Sequence, residues 1–247
     1  NFVRQILIIL SIIFSFTVSS CTDKEESNTA NTTVTTVDTT SPIVAEVTEV
    51  TTPTNDSTPD YTFSSDDAGT ITYGGSCSSN TTLASYGNNK ITLVSLSDGT
   101  YSDCTITVNE TAGNVSNTLT VKSFEVDSTA ATLTEVTAVT TPTYDTTPDY
   151  IFYSSKAGTI SYGGSCSSST TSAVSGNNTI TLNTLSLGTY SDCTVTVTDS
   201  ASNSVTLNMS SIVVIPSYVA VGDSGTILTS SNVTSWTSKT SSTTNKL

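Results

Sequence analysis

A tandem repeat constrains this chain more than any other feature. Tyr73-Gly74-Gly75-Ser76-Cys77-Ser78-Ser79 and Gly99-Thr100-Tyr101-Ser102-Asp103-Cys104-Thr105 return almost unchanged at Tyr162 to Ser168 and Gly188 to Thr194. Matched positions lie 89 residues apart, as from Cys77 to Cys166 and from Cys104 to Cys193, and each copy spaces its two cysteines by 27. That period is the size of one β-sandwich domain. A chain of 247 residues then holds two such units and two ends.

Units this small bury little core and often need staples. Thr, Ser, Asn and Gly dominate, the apolar positions favour β-branched residues, and helix formers are few, so the expected class is all-β. Charged residues make up 11% of the chain, with 21 Asp and Glu against 7 Lys and Arg. Phosphate binding needs clustered basic side chains, which excludes nucleic acid as an expected partner. Histidine is absent, which removes the usual general base, the Ser or Cys triad and most transition-metal sites.

Strand signals in the first copy transfer to the second by the offset. Ile43 to Val50 alternates and predicts a first strand, broken at Pro53 and Pro59. Tyr61 and Phe63 share a face of the second, and Ile71 and Tyr73 point inward from the third, which ends at Gly74-Gly75. Gly87-Asn88-Asn89 reads as a turn feeding Ile91 and Leu93. After Ser97-Asp98-Gly99, one strand is expected from Tyr101 to Val108, with Cys104, Ile106 and Val108 on one face. Asn109 to Asn114 is the last turn and Val115 to Val121 the closing strand. Six or seven antiparallel strands at this spacing predict an immunoglobulin-like sandwich, at 38–125 and again at 126–214.

Asp38-Thr39-Thr40-Ser41-Pro42, Gly69-Thr70-Ile71-Thr72-Tyr73, Asp98-Gly99-Thr100-Tyr101 and Thr107 to Asn114 together resemble bacterial Ig-like repeats of secreted and surface proteins. The likeness covers about residues 37 to 214. In that family an Asp-Thr-Thr-x-Pro element opens each domain and an Asp-x-Ala-Gly-Asn turn precedes the last strand. Here the turn begins with Asn109 in one copy, Asp199 to Asn203 lacks the glycine in the other, and Asp127 to Ala131 lacks the proline. Tyr101 and Cys104 are three apart, where the antibody-type tyrosine corner spaces them by two. The one tryptophan, Trp236, lies outside both repeats.

The amino-terminal residues 1–20 carry Arg4, then a mostly apolar run from Ile6 to Val18, then Ser19 and Ser20. This is the order of a secretory signal, and the run is short for a membrane span. Val18-Ser19-Ser20-Cys21 resembles the lipobox of bacterial lipoproteins, which implies acylation of Cys21 and a membrane anchored through lipid. An ordinary cleaved signal or a short anchor, with Cys21 incidental, is the alternative. Five cysteines divide into two repeated pairs and Cys21, which suits the lipidated reading. Residues 21–37 read as a disordered tether. The expected location is the bacterial cell envelope. The first residue is Asn, and a fragment of a longer reading frame is expected.

Cys77 follows the third strand and Cys104 opens the sixth, which are neighbours in a sandwich. Disulfides Cys77–Cys104 and Cys166–Cys193 are therefore expected, and export supplies the oxidising compartment. The rival, a metal or redox pair, lacks Cys-x-x-Cys spacing and histidine.

Among carboxylates, Asp56, Asp60 and Asp103 recur as Asp145, Asp149 and Asp192, whereas Asp66, Asp67 and Asp98 become Ser155, Lys156 and Leu187. A calcium site common to both repeats would draw on the recurring set, helped by Glu46 and Glu135 or by Glu125 and Asp127. No EF-hand or repeated Asp-x-Asp loop accompanies them, so turn and cap roles are the favoured expectation. No cofactor and no enzyme chemistry is expected.

At 215–247 the pattern changes. Tyr218 to Thr229 resembles the start of a blade in sialidase-like or photosystem-assembly-factor-like β-propellers, although Asn232-Val233 stands where Asp-Gly is usual; a polar tail is the alternative. The combined expectation is a non-enzymatic, envelope-anchored stalk or adhesion module, with an unidentified protein or glycan as the ligand class. Its alternative is the arm of a larger enzyme or sensor with a carboxyl-terminal propeller.

Overall fold

The computed structural model describes residues 37–222, 226–230 and 233–239. The signal segment, all but the last residue of the tether and Cys21 lie outside the described residues. Every described element is a strand, and the strand pairings within sheets are antiparallel.

In the first repeat, β1 (Val44–Thr48), β2 (Asp60–Ser65) and β5 (Gly87–Thr92) form one sheet in the order β1-β2-β5. A second sheet has the order β4-β3-β7-β8, from β3 (Gly69–Gly74), β4 (Leu83–Ala84), β7 (Thr105–Glu110) and β8 (Leu119–Thr120). The short pair β6 (Gly99–Tyr101) and β9 (Phe124–Val126) completes the unit. The segment after β1 crosses to β9, where Thr54 bridges Val126 in parallel.

The second repeat builds the same sheets. β10 (Leu133–Thr137), β11 (Asp149–Ser154) and β14 (Gly176–Thr181) form the first. β12 (Gly158–Gly163), β13 (Ser172–Ala173), β16 (Thr194–Thr198) and β17 (Ser204–Asn208) form the second, in the order β13-β12-β16-β17. β15 (Gly188–Tyr190) pairs with β18 (Ile212–Val214), and Thr143 bridges Val214.

Alternation explains the layers. On β2, Tyr61, Phe63 and Ser65 are buried, and on β7, Ile106, Val108 and Glu110 are. Period-two patterning sends such residues to one face, where the two sheets meet. All the buried apolar residues but Ala131 and Ala201 fall into two clusters, one running from Val44 to Val126 and one from Val139 to Val214. Val126 thus packs with the first repeat.

Three expectations change. Gly87-Asn88-Asn89 is not a turn but the start of β5, because the buried Asn89 side chain satisfies the backbone that a turn would leave open. Its Oδ1 accepts from Ser85 N and its Nδ2 donates to the Ser85 and Gly87 carbonyls. The expected strand from Tyr101 to Val108 is broken at Ser102-Asp103-Cys104, and β6 and β7 join different sheets. That break lets Tyr101 act as a corner: its hydroxyl donates to the Ser97 carbonyl at 2.8 Å, and its ring stacks on Phe124. Tyr190 repeats the bond to Ser186 at 2.9 Å.

The closing strand is also split. In the first repeat β8 is two residues long, and an extra residue between Asn114 and Leu119 interrupts its ladder with β7. The interruption is filled by side chains. Ser116 Oγ accepts from Val108 N, while Asn117 brackets Val44, accepting from its N–H and donating to its carbonyl. The second repeat lacks that residue, and β17 zips along β16 for five pairs. The offset between copies therefore falls from 89 to 88 in the last strands.

Beyond the repeats, β19 (Tyr218–Gly222), β20 (Thr226–Ser230) and β21 (Thr237–Lys239) form an antiparallel meander.

Candidate functional site

The repeated cysteine motifs form a closed clamp. Cys77–Cys104 and Cys166–Cys193 are disulfides, each with a Cα separation of 5.2 Å. They join neighbouring strands of one sheet, just beyond the Gly74–Thr105 and Gly163–Thr194 pairs. Gly75 adopts φ +72°, and a Cβ there would collide with the Asp103 carbonyl; Gly164 stands in the same relation to Asp192. Only glycine fits that approach. Ser76 Oγ then donates to Asp103 at 2.9 Å and Ser165 Oγ to Asp192 at 2.8 Å, which holds both carboxyls below their ordinary pKa. With all four sulfurs bonded, the motif offers no thiolate for metal or redox chemistry.

The structure does not gather the six recurring aspartates. Asp56 and Asp145 cap their own turns, accepting from the Thr58 and Thr147 N–H groups at 2.8 Å. Asp60 accepts from Thr92 and pairs with Lys90 at 2.7 Å, and Asp149 accepts from Thr181. Asp103 and Asp192 belong to the clamps. Glu46 and Glu135 serve the sheets instead: Glu46 accepts from Tyr61 Oη at 3.0 Å, and Glu135 accepts from Ser210 N and Oγ. Tyr150, the counterpart of Tyr61, is buried with its hydroxyl unpartnered. Its pKa is pushed up by that burial, by the nearby Glu135 charge and by an approach of the hydroxyl to the Glu135 carboxylate that falls short of hydrogen-bond geometry.

A different set of ionisable groups converges where each repeat begins. In the second repeat, Lys156 Nζ lies 2.6 Å from Asp127 and 3.3 Å from Asp199 and also donates to the Thr129 carbonyl. The Asp127 hydrogen bonds hold the ammonium above its ordinary pKa. Burial works to raise Asp199, but Asn203 and Lys156 outweigh it and its carboxyl stays low. Asn203 Nδ2 also donates to the Asp127 carbonyl at 2.7 Å, tying the opening residue to the last turn.

The first repeat keeps this frame and changes its centre. Asn114 Nδ2 donates to the Asp38 carbonyl at 2.9 Å and to the Glu110 carboxylate. Asp67 stands where Lys156 does. Asp38, Asp67 and Glu110 each bring a carboxylate oxygen within 4.8 Å of the others. Glu110 is only 6% exposed.

Between the repeats, Asp98 accepts from Ser128 N and Oγ at 2.8 and 2.6 Å and from Thr129 Oγ1 at 2.5 Å. These bonds, led by the Ser128 hydroxyl, hold its carboxyl at about 2. Sequence reasoning named Asp67 and Asp98 as turn residues that fail to recur and gave neither a partner; their contacts depend on folding.

No protein-family model matches the chain, and no curated protein or solved structure is significantly similar to it.

Proposed function

We propose that the chain is a non-enzymatic stalk or adhesion-type module, exported and held at a bacterial cell envelope by a lipid on Cys21. Its two repeats act as immunoglobulin-like domains that hold a binding surface away from the membrane. The observation that carries this is the duplicate clamp: two copies of one strand order, each closed by its own disulfide. Disulfides persist in oxidising compartments, which favours an exported protein. The sheet orders β1-β2-β5 and β4-β3-β7-β8, the parallel crossing of Thr54 to Val126 and the corner bonds of Tyr101 and Tyr190 favour the Ig-like assignment. The ionisable groups described above are engaged in caps, clamps and frames, which favours scaffold over catalysis.

An arm presenting a further β-rich domain is a second reading, favoured by the meander β19-β20-β21. A bacterial host expressing the full chain tests the first. Metabolic labelling with an alkyne fatty acid should mark the protein, and Cys21→Ala should abolish the mark while leaving both disulfides formed. An unlabelled protein with four free thiols recovered from the cytosol would overturn the proposal. Saturable binding to cell-wall glycan or a surface protein favours adhesion over pure spacing.

A further inference from the structure

Each repeat keeps one hydroxyl that its fold does not use. The segment between β1 and β2 carries Asp56-Ser57-Thr58-Pro59, and the segment between β10 and β11 carries Asp145-Thr146-Thr147-Pro148. In both, the aspartate closes a turn on the third residue. Asp56 Oδ1 accepts from Thr58 N at 2.8 Å and Thr58 Oγ1 at 3.1 Å, and Asp145 Oδ1 accepts from Thr147 N at 2.8 Å and Thr147 Oγ1 at 3.3 Å. The middle residue is fixed by its backbone, since the Ser57 carbonyl accepts from Leu96 N at 2.8 Å and the Thr146 carbonyl from Leu185 N at 2.7 Å. Its side chain is partly exposed, and among the described residues nothing bonds the Ser57 or the Thr146 hydroxyl. The related tripeptides that open the repeats differ, because Ser128 and Thr129 both donate to Asp98. Only the later pair is free in both copies.

We propose that Ser57 and Thr146 are O-glycosylation sites, each presented to a transferase by its Asp-Ser/Thr-Thr turn. Between the copies the middle residue changes from Ser to Thr while the hydroxyl stays, and no contact within the fold asks for it. A backbone already held in shape, with its hydroxyl free, costs little further ordering when an enzyme docks on it. Charge selects the class of modification. A phosphate would set about two negative charges beside the aspartate carboxylate, in a chain of net charge −14. A neutral sugar adds hydroxyls without that repulsion. The flanking sequence agrees: Thr51-Thr52-Pro53-Thr54 and Thr140-Thr141-Pro142-Thr143 precede the turns, and Ser/Thr-rich runs with proline are the composition of O-glycosylated stalks.

The donor is a glycosyl diphosphate. The hydroxyl oxygen forms a bond to the anomeric carbon, the bond from that carbon to the phosphate oxygen breaks, and the diphosphate leaves with the electron pair. The hydroxyl proton passes to a base of the transferase. Because the two turns occupy matched positions, each repeat carries its sugar at the same place. The sites rest on the reading of the chain as an exported stalk.

Mass spectrometry of the full chain isolated from the cells that naturally make it tests the sites, with electron-transfer fragmentation to place each added group. The wild type should carry hexose or hexosamine mass on Ser57 and on Thr146. Asp56→Ala opens one turn and should strip Ser57 while Thr146, in the same molecule, stays modified. Ser57→Ala leaves the turn intact and should lose one site's mass, so it decides if Asp56→Ala fails to fold. Bare Ser57 and Thr146 in a chain whose Cys21 peptide carries acyl groups would overturn the sites and leave the exported reading standing. A chain with neither acyl group nor sugar would overturn both. Sugar on Ser57 undiminished in a folded Asp56→Ala, or spread equally over outward strand residues such as Thr72, would show that the turn does not direct the transfer and would overturn the proposal. Phosphate in place of sugar on the two hydroxyls would overturn it as well.

Discussion

The two repeats share strand order, clamps and corner tyrosines, and they part company where charge is concerned. The first has three acids at its opening frame, a paired Tyr61 and an interrupted closing strand. The second has Lys156 among two acids, an unpaired Tyr150 and an unbroken β17. What stays the same is what the fold requires: the Gly75 and Gly164 approaches, the disulfides, the buried faces of the sheets. What drifts is the manner in which a buried polar group is satisfied. A duplicated domain thus serves as its own comparison, because matched positions such as Asp67 and Lys156, or Glu110 and Asp199, stand in the same frame with different side chains.

The largest effect expected from this comparison is also the most symmetric. Replacing Cys77 and Cys104 together with alanine opens a loop of 27 residues, and the chain-entropy model assigns such a loop about 3 kcal/mol. The Cys166 and Cys193 pair closes the same length, so the losses should match. Hydrogen exchange read repeat by repeat in urea measures each. Losses that differ by more than about 1 kcal/mol would show that the clamps are not equivalent in energy despite matching in position.

A smaller and asymmetric effect is expected at the paired tyrosines. Tyr61→Phe removes a hydrogen bond to the Glu46 carboxylate, which costs about 1.5 kcal/mol when the acceptor is charged. Tyr150→Phe removes a buried hydroxyl that has no partner, and the change should be neutral or stabilising within about 0.5 kcal/mol. Exchange protection on β2 against β11 separates the two. Equal losses at both positions would mean that Glu135 does bond Tyr150 in solution and that this difference between repeats is not real.

Most of the fold was legible because it depends on period-two patterning and turn residues, which lie close together in the chain. Tyr61, Phe63, Ile71 and the Cys104, Ile106 and Val108 face were readable on that basis, and so were the disulfides, from equal spacing and strand adjacency. Asn89 was misread because its amide completes a turn with Ser85 and Gly87 through its side chain, which composition does not distinguish from an exposed turn residue. The β6–β7 break was hidden inside a continuous β-prone run. The Asp38, Asp67 and Glu110 cluster escaped for a further reason. Its members come from three distant segments, and a search for carboxylates common to both repeats discards Asp67 at once. Here the substitution of Asp67 by Lys156 was itself the signal.

The smallest effect sits at the join and is set by pH. Asp98 is tied to Ser128 and Thr129 of the next repeat, and Leu187 at the matched position of the second repeat has no carboxylate to repeat the contact. Its folded pKa of about 2 lies below the ordinary 3.8. The depressed value means that ionisation favours the folded state: the contribution is complete above the unfolded pKa and disappears as pH falls from about 4 through about 2. Asp98→Asn keeps the shape but not the charge, so it should weaken the junction at neutral pH and cease to differ from the wild type in strong acid. A carboxyl-detected NMR titration gives the direct reading. An Asp98 midpoint near 3.8 would show that the three donors are not engaged in solution, and that the join between the repeats, unlike the frames on either side of it, is not held by charge.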